Sequence, residues 1–366
     1  MNELQKTMLG TFTTMLILVT LTAPVFANPE IYRIDGHVSH GDEIQISGIH
    51  FGGKSPARPY FWAPMETSAE PSPLGLISSW SAINRMAYAE GEGPNGGGAL
   101  KAVDDSGTWT AQVTAVDLNW AAPGQKMYLY RKLKHNFSIF EPDPINWKSW
   151  RVWGELLEDG KRISAMDGLW NGSLSMTSGY SVESGQTLYP LNPRCGFGLV
   201  NEWNTNEILL RVNTNGVGRG DGYFQYRTNG ANCGEVPYTA WDGTRHLKMW
   251  DDLHTPNLTR NFIVHGVKAN HQMGPDDRYW ATSVYLDTTW ARVVIANAQS
   301  LDQATHLEIQ IPLQWSDGLI TAQANTAAFP ANQPKYLFVV DSQNNASVGY
   351  PLTTAPPMPP DPVTAQ

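Results

Sequence analysis

Several predicted strands carry aromatic, cationic, carboxylate and amide side chains at alternate positions, and this mixture suits the binding of a sugar. Aromatic planes stack on sugar rings, while charged groups make directed hydrogen bonds to hydroxyls or to uronate carboxylates. We therefore predict a carbohydrate-binding face. Its candidate residues are Tyr130, Lys132, Arg151, Trp153, Glu155, Glu207, Arg211, Tyr223, Gln225 and Arg227. The alternative is that these residues form the solvated side of an antiparallel sheet.

Groups that could support catalysis or hold a metal ion are scattered along the chain. His254, His265 and His271 fall in or near the loops after Trp250, where an elimination reaction could recruit a base. A loop histidine is more often a surface or capping residue, and no histidine has metal-ligand spacing. We therefore assign no catalytic residue and predict no metal site.

Four acidic clusters could hold a structural calcium ion. They are Asp104-Asp105, Glu141 to Asp143, Asp251-Asp252 and Asp276-Asp277. None matches an EF-hand-like ligand pattern, so the clusters are better explained by turns, in which aspartate is common. We predict no cofactor, with a structural calcium ion as the alternative.

The candidate residues lie on strands that a period of two predicts. Such strands are expected at 126–134, 147–156, 241–250 and 260–266, with a central pair near 207–212 and 223–228. In the first strand of the central pair, Ile208, Leu210 and Val212 alternate with Glu207, Leu209 and Arg211. The pattern predicts one apolar face directed inward and one mixed polar face directed outward.

The central pair resembles a known family of folds. Trp203 and Glu207 on the first strand, Asn213 and Gly216 in the connection, and Asp221-Gly222 with Phe224 on the second carry the resemblance. They resemble the central hairpin of concanavalin A-like (laminin-G-like) jelly rolls, especially the polysaccharide-lyase type. This resemblance implies a β sandwich with a curved sheet whose outward side chains line a groove. Residues 285–296 resemble its closing strand.

The catalytic motifs of related folds are absent. The chain has no Glu-x-Asp-x-Glu run of a retaining β-glucanase, in which two carboxylates act as nucleophile and acid. It also lacks the alginate-lyase signatures Arg-Thr/Ser-Glu-Leu, Gln-Ile/Val-His and Tyr-Lys-Ala-Gly. A lyase would require an arginine, such as Arg151 or Arg211, to neutralise a uronate carboxylate while a tyrosine or histidine takes the C5 proton.

The two ends of the mature chain resemble halves of one small domain. The run from Gly41 to Gly52 is similar to the opening of an IPT/TIG immunoglobulin-like domain, and residues 309–352 resemble its later strands. We predict that these segments pair, with the sandwich between them. The expected divisions are 28–56 and 301–352 for the split Ig-like domain, 57–300 for the jelly roll, and 353–366 for a disordered Pro-rich tail. Alternatively, both ends are edge strands of one sandwich.

The first 27 residues have the features of a signal peptide. An apolar run from Met15 to Leu21 is followed by Val25-Phe-Ala27, which fits the small-x-small cleavage rule. A membrane anchor is the alternative, but the apolar run is short for a bilayer. In an oxidising compartment Cys195 and Cys233 are expected to form a disulfide, which would stabilise the fold by about 4 kcal/mol.

Composition narrows the choice of partners. The net charge is −9 and there is no basic cluster, which argues against binding to nucleic acid or to an anionic membrane. We predict an all-β protein, an antiparallel jelly-roll sandwich plus a small Ig-like β domain, that is secreted and binds extracellular polysaccharide like a lectin. The alternatives are a polysaccharide lyase acting on a uronate-containing glycan and a structural surface protein that assembles through its Ig-like end.

Overall fold

Antiparallel strands form nearly all the regular structure in the part of the chain that the computed structural model describes. That part comprises residues 27–67, 70–76, 80–102, 111–115, 124–137, 146–153, 164–170, 173–179, 187–190, 198–211, 222–236, 260–269 and 276–352. Its strands, in chain order, are β1 (Glu30–Asp35), β2 (Glu43–Ile49), β3 (Phe61–Ala63), β4 (Trp80–Asn84), β5 (Met86–Ala89), β6 (Ala99–Ala102), β7 (Ala111–Ala115), β8 (Lys126–His135), β9 (Asn146–Trp153), β10 (Ser164–Trp170), β11 (Ser173–Gly179), β12 (Thr187–Pro190), β13 (Asn204–Arg211), β14 (Tyr223–Thr228), β15 (Ala231–Val236), β16 (Arg260–Ala269), β17 (Tyr279–Asp287), β18 (Arg292–Ala296), β19 (Leu307–Trp315), β20 (Leu319–Gln323), β21 (Tyr336–Val340) and β22 (Tyr350–Pro351). Two 3-10 turns lie at Pro94–Gly96 and Leu301–Gln303.

These strands form three sheets. The outer sheet has the order β12-β11-β10-β9-β16-β7-β4, and the middle sheet has the order β15-β14-β13-β8-β17-β6-β5, with β3 paired to β17. Together they form a sandwich, in which Trp150 of β9 stacks on Phe224 of β14 with ring centroids 6.2 Å apart. The terminal sheet has the order β1-β2-β20-β19-β18-β21-β22.

The terminal sheet covers the face of the middle sheet that points away from the outer sheet. Tyr128 and Leu209 of the middle sheet share a buried apolar cluster with Val294 and Phe338 of the terminal sheet. The middle sheet is therefore buried on both faces, and the described strands form three layers, which are the two sheets of the sandwich and the terminal sheet packed against it.

The predicted pairing of the two ends of the chain is confirmed. In the β2–β20 ladder Ile44 lies opposite Ala322 and Ile46 opposite Ile320. All four side chains lie in one buried cluster on the side of the terminal sheet that carries Val293 and Val339. The two segments pair because each alternates with the same period and contributes its apolar side to one core.

Several predicted elements need correction. Residues 285–296 do not form one closing strand, because the chain leaves the middle sheet after β17 and enters the terminal sheet as β18. Asp287 accepts a hydrogen bond from the Thr288 N–H (2.8 Å), and Thr289 accepts one from the Ala291 N–H (3.2 Å). Such side-chain bonds compete with a β ladder and end the strand there. The sequence predicted no strand in the region that holds β3, β4, β5 and β6.

Some predictions fall outside the described residues. These are the signal peptide, the Pro-rich tail, the strand at 241–250, His254, His271, Cys195 and Glu155. Cys233 is buried in β15, and its disulfide with Cys195 stays a prediction. Within the described ranges, no helix has the length and apolar character needed to cross a bilayer.

Gly48 is expected to be intolerant of substitution because of its packing. A Cβ atom at this position would lie 2.0 Å from the Glu30 carbonyl oxygen and 2.5 Å from the Phe51 ring. Gly48→Ala should lower the free energy of unfolding by about 1–3 kcal/mol, measured by chemical denaturation. Gly53→Ala is the matched control, because nothing lies within 4 Å of its added Cβ. Equal stability of the two variants would contradict the prediction.

Candidate functional site

The predicted carbohydrate face is largely covered by the terminal sheet. Tyr130, Lys132 and Glu207 are at most 3% exposed, and Gln225 and Arg227 at most 8%. The Tyr130 hydroxyl donates to the Leu307 carbonyl and to Glu308 Oε2, both at 3.1 Å. The prediction that these five side chains face solvent is therefore wrong.

Charge pairing explains how a polar face can be buried. Lys132 forms an ion pair with Glu308 of the terminal sheet. Glu207 Oε1 accepts a hydrogen bond from the Tyr128 hydroxyl at 2.7 Å, and Glu207 lies 3.8 Å from both Arg227 and Arg292. Burying a charge is tolerable when an opposite charge and hydrogen bonds accompany it.

The predicted residues do not share one sheet. Arg151 and Trp153 lie on β9 of the outer sheet, whereas Glu207 and Arg211 lie on β13 of the middle sheet. The prediction that one sheet carries them together is wrong. Alternation determines which residues share a side of one strand, but not which sheet that strand joins.

Two of the predicted residues are only half buried. Arg211 lies opposite Tyr223 in the β13–β14 ladder. The Tyr223 hydroxyl donates to Glu235 Oε2 at 3.0 Å, and Gln225 donates to the same oxygen at 3.4 Å. Burial and the nearby Glu235 raise the pKa of Tyr223. Tyr223 therefore stays a neutral donor at the edge of the covered face.

A pocket lies at the seam between the middle and terminal sheets, and we call it the seam pocket. Its volume is about 340 Å³. Five chain segments build it: the turn before β2, the residues after β3, the Pro94–Gly96 turn and the glycines after it, the middle of β17, and the residues after β20. The lining residues are His40, Pro64, Glu66, Pro94, Asn95, Gly96, Gly97, Gly98, Thr282, Ser283, Asn325, Ala327 and Ala328.

An imidazole–carboxylate pair joins the two sides of the seam pocket. His40 Nε2 lies 3.1 Å from Glu66 Oε2, and the Thr326 backbone N–H approaches His40 Nδ1 at 3.3 Å. Because a backbone N–H only donates, Nδ1 is the acceptor, and neutral His40 carries its proton on Nε2 and donates it to Glu66. The hydrogen bond to Glu66 raises the pKa of His40, and partial burial opposes this. The imidazole is thereby held in one orientation.

A tight turn forms another part of the wall of the seam pocket. Asn95 has φ 52° and Gly96 has φ 82°. The Asn95 side-chain amide donates to the Ala327 carbonyl at 2.6 Å, which ties this turn to the segment after β20. At Gly98 a Cβ would lie 2.3 Å from both the Met65 carbonyl oxygen and the Tyr88 hydroxyl. Only glycine allows this close approach of the backbones.

The seam pocket offers hydrogen-bonding groups without a strong positive charge. Glu66 Oε1, Asn95 Oδ1 and the Ser283 hydroxyl have no hydrogen-bond partner among the described residues. Among the described lining residues none is lysine or arginine. This chemistry suits a neutral ligand rich in hydroxyl groups better than a polyanion.

Sequence reasoning missed the seam pocket because its residues lie in turns and far apart along the chain. The run Gly96-Gly-Gly98 was the available signal, since a glycine run marks a close backbone approach. The positive φ of 51° at Ser283, inside a buried strand, had no signal in the sequence.

No metal centre is found within the described residues. There, no three histidine, cysteine or acidic side chains are grouped so as to hold an ion. Of the acidic clusters, Asp276-Asp277 is described, whereas the other three lie outside the described ranges. The alternative of a structural calcium ion at those three stays a prediction.

Comparisons with known proteins find no matching family model and no matching curated protein. Among solved structures, the chain is similar to the marine PL-14 alginate lyase from Aplysia kurodai, with 12% identity, a TM-score of 0.37, and coverage of 56% of this chain and 87% of the lyase. The cellulose induced protein Cip1 has 12% identity and a TM-score of 0.37 over 57% of this chain and 91% of its own. The Botulinum neurotoxin serotype D binding domain has 9% identity and a TM-score of 0.37, with coverage of 78% of this chain and 71% of the binding domain. Similarity at this level carries no information about activity.

Proposed function

We propose that this protein is an exported carbohydrate-binding protein and that the seam pocket binds a neutral saccharide of an extracellular polysaccharide. The lining of the pocket is the observation that carries the proposal. Glu66 Oε1, Asn95 Oδ1 and the Ser283 hydroxyl supply two acceptors and one hydroxyl that no described residue uses. Sugar hydroxyls both donate and accept, so they complement such a set.

The size and shape of the seam pocket also support a sugar ligand. A volume of about 340 Å³ lies in the lower part of the range of roughly 300–1,000 Å³ for small-molecule sites. The His40–Glu66 pair and the Asn95–Ala327 bond hold its walls in place before binding. A preformed wall lowers the entropy lost when the ligand binds.

The lyase alternative finds less support in this pocket. Elimination from a uronate needs a positively charged side chain that neutralises the carboxylate and a base that takes the C5 proton. The described lining has no lysine or arginine, and the lone pair of His40 Nδ1, which a base would use, already accepts a hydrogen bond from the Thr326 N–H at 3.3 Å. Arg211, which the sequence suggested for this role, lies on β13 and does not line the pocket.

We also propose that the terminal sheet is the split Ig-like module of the sequence resemblance. The β2–β20 ladder supports this proposal, because it joins the two half-signatures in one sheet. A surface-assembly role would use the same module, and self-association of the purified protein would favour it.

The proposed function predicts a loss of affinity when Glu66 is changed. The mature protein is first applied to an array of neutral and uronate glycans, and the best neutral ligand is then titrated by calorimetry. Glu66→Gln should weaken binding by about 1.5–3 kcal/mol, the contribution of a hydrogen bond to a charged group. Glu30→Gln, an exposed glutamate on β1 away from the pocket, should leave the affinity unchanged.

Three results would contradict this prediction. Binding only to uronate polymers, with the absorbance of an unsaturated product, would favour the lyase. Oligomers without glycan binding would favour the structural role. An unchanged Kd in a folded Glu66→Gln protein would place the binding site elsewhere.

A further inference from the structure

Lys54 and Asp287 form a buried pair where the chain crosses between the terminal sheet and the sandwich. Lys54 lies on the outward crossing, between β2 and β3, and Asp287 ends β17, just before the return crossing to β18. Lys54 Nζ is 2.7 Å from Asp287 Oδ2, and the two side chains are 0% and 4% exposed. An amine and a carboxyl group are thus in contact, shielded from water.

Aromatic residues surround this pair. Lys54 Nζ lies 5.9 Å from the centroid of the Tyr285 ring and 5.6 Å from that of Trp315. The Tyr285 hydroxyl donates to Asp287 Oδ2 at 2.8 Å and lies 3.3 Å from Lys54 Nζ. Tyr285 therefore touches both groups that could react.

Burial shifts both groups toward their neutral forms. Burial lowers the pKa of Lys54 and raises the pKa of Asp287, and their mutual attraction does not reverse either shift. The second buried pair, Lys132 with Glu308, behaves differently. There, burial tends to raise the pKa of Glu308, but Lys132 and His306 outweigh it and the pKa is lowered, so Glu308 stays a carboxylate.

We propose that Lys54 and Asp287 condense to form an intramolecular isopeptide bond. The lone pair of neutral Lys54 Nζ attacks Cγ of the protonated Asp287 carboxyl group. The Nζ–Cγ bond forms, the bond from Cγ to the departing oxygen breaks, and one Nζ proton leaves with that hydroxyl as water. No oxidant or cofactor is needed.

Tyr285 is placed to carry the proton in this step. Its hydroxyl oxygen can accept the proton from Nζ while its own proton passes to the departing oxygen. Burial raises the pKa of Tyr285 well above its usual value, so the hydroxyl starts the step protonated. The bond would join the two crossings covalently and keep the terminal sheet attached to the sandwich.

The intact mass of the mature, reduced protein tests the proposal. We expect a mass one water molecule below that of the processed sequence. Lys54→Met and Asp287→Ala should each show the full mass of their sequence. Asp287→Asn should lose ammonia instead of water and reach the same final mass as the cross-linked wild type. The full sequence mass in the wild-type protein would overturn the proposal.

Peptide mapping locates the bond. Trypsin should fail to cleave after Lys54, and a branched peptide should join the Lys54 and Asp287 segments. The Lys132 and Glu308 peptides are the internal control and should be recovered unlinked. A water loss that maps to any other pair of residues would also overturn the proposal.

Discussion

Glu207→Gln is expected to lower the free energy of unfolding by about 3–5 kcal/mol, the cost of removing one partner from a buried ion pair. Glu207 is 2% exposed and lies 3.8 Å from Arg227 and from Arg292. Arg292 is fully buried, with its guanidinium 4.4 Å from the centroid of the Tyr128 ring. Glutamine keeps the volume of the side chain but removes the carboxylate that faces the buried Arg292, and it leaves Arg227 paired with the exposed Asp302 at 3.3 Å.

Chemical denaturation of the two purified proteins measures this effect. Glu202→Gln is the matched control, because Glu202 is exposed just before β13, and its stability should stay within about 0.5 kcal/mol of the wild type. A loss below about 1 kcal/mol in Glu207→Gln would mean that solvent reaches the arginines, contrary to the burial described above.

Trp290→Ala is expected to lower the free energy of unfolding by about 3–5 kcal/mol, as is usual when a large aromatic residue is removed from a core. Trp290 is 5% exposed in the cluster between the middle and terminal sheets, and its Nε1–H donates to the Met127 carbonyl at 3.0 Å. Its ring also contacts Tyr223, with centroids 5.3 Å apart. The substitution leaves a cavity and removes the hydrogen bond to the Met127 carbonyl at the same place.

Denaturation monitored by circular dichroism tests this second prediction. Trp290→Phe keeps an aromatic ring and should recover part of the loss. Val348→Ala, at a residue that is 76% exposed, should have almost no effect. If Trp290→Ala were as stable as Val348→Ala, the terminal sheet would not depend on this residue for its attachment.

Local pattern was sufficient to predict much of the fold. The strands around Leu129, Leu210 and Phe224 follow a period of two, and β13 and β14 pair as predicted, with Leu210 opposite Phe224. The pairing of the two chain ends was predicted from the resemblance of both segments to halves of an IPT/TIG domain, and Ile46 does lie opposite Ile320. The alternation along each strand depends on neighbouring residues, which a sequence shows directly.

The candidate site could not be predicted in the same way. His40, Glu66 and Asn95 lie in turns and have no periodic pattern, and the distances between them depend on how the two sheets meet. The buried pair of Lys54 and Asp287 could not be predicted either, because nearly all the residues of the sandwich lie between the two in the sequence.

The sequence by itself determined the all-β class, the alternation along each strand and the meeting of the two chain ends in one sheet. Only the tertiary structure decided that the polar face of the middle sheet is an interior. Alternation is a property of a single strand's backbone, so it places Glu207 and Ile208 on opposite sides of β13 whatever packs against the sheet. Whether Glu207 and Lys132 are solvated depends on a third sheet that supplies Arg292 and Glu308 at the right places.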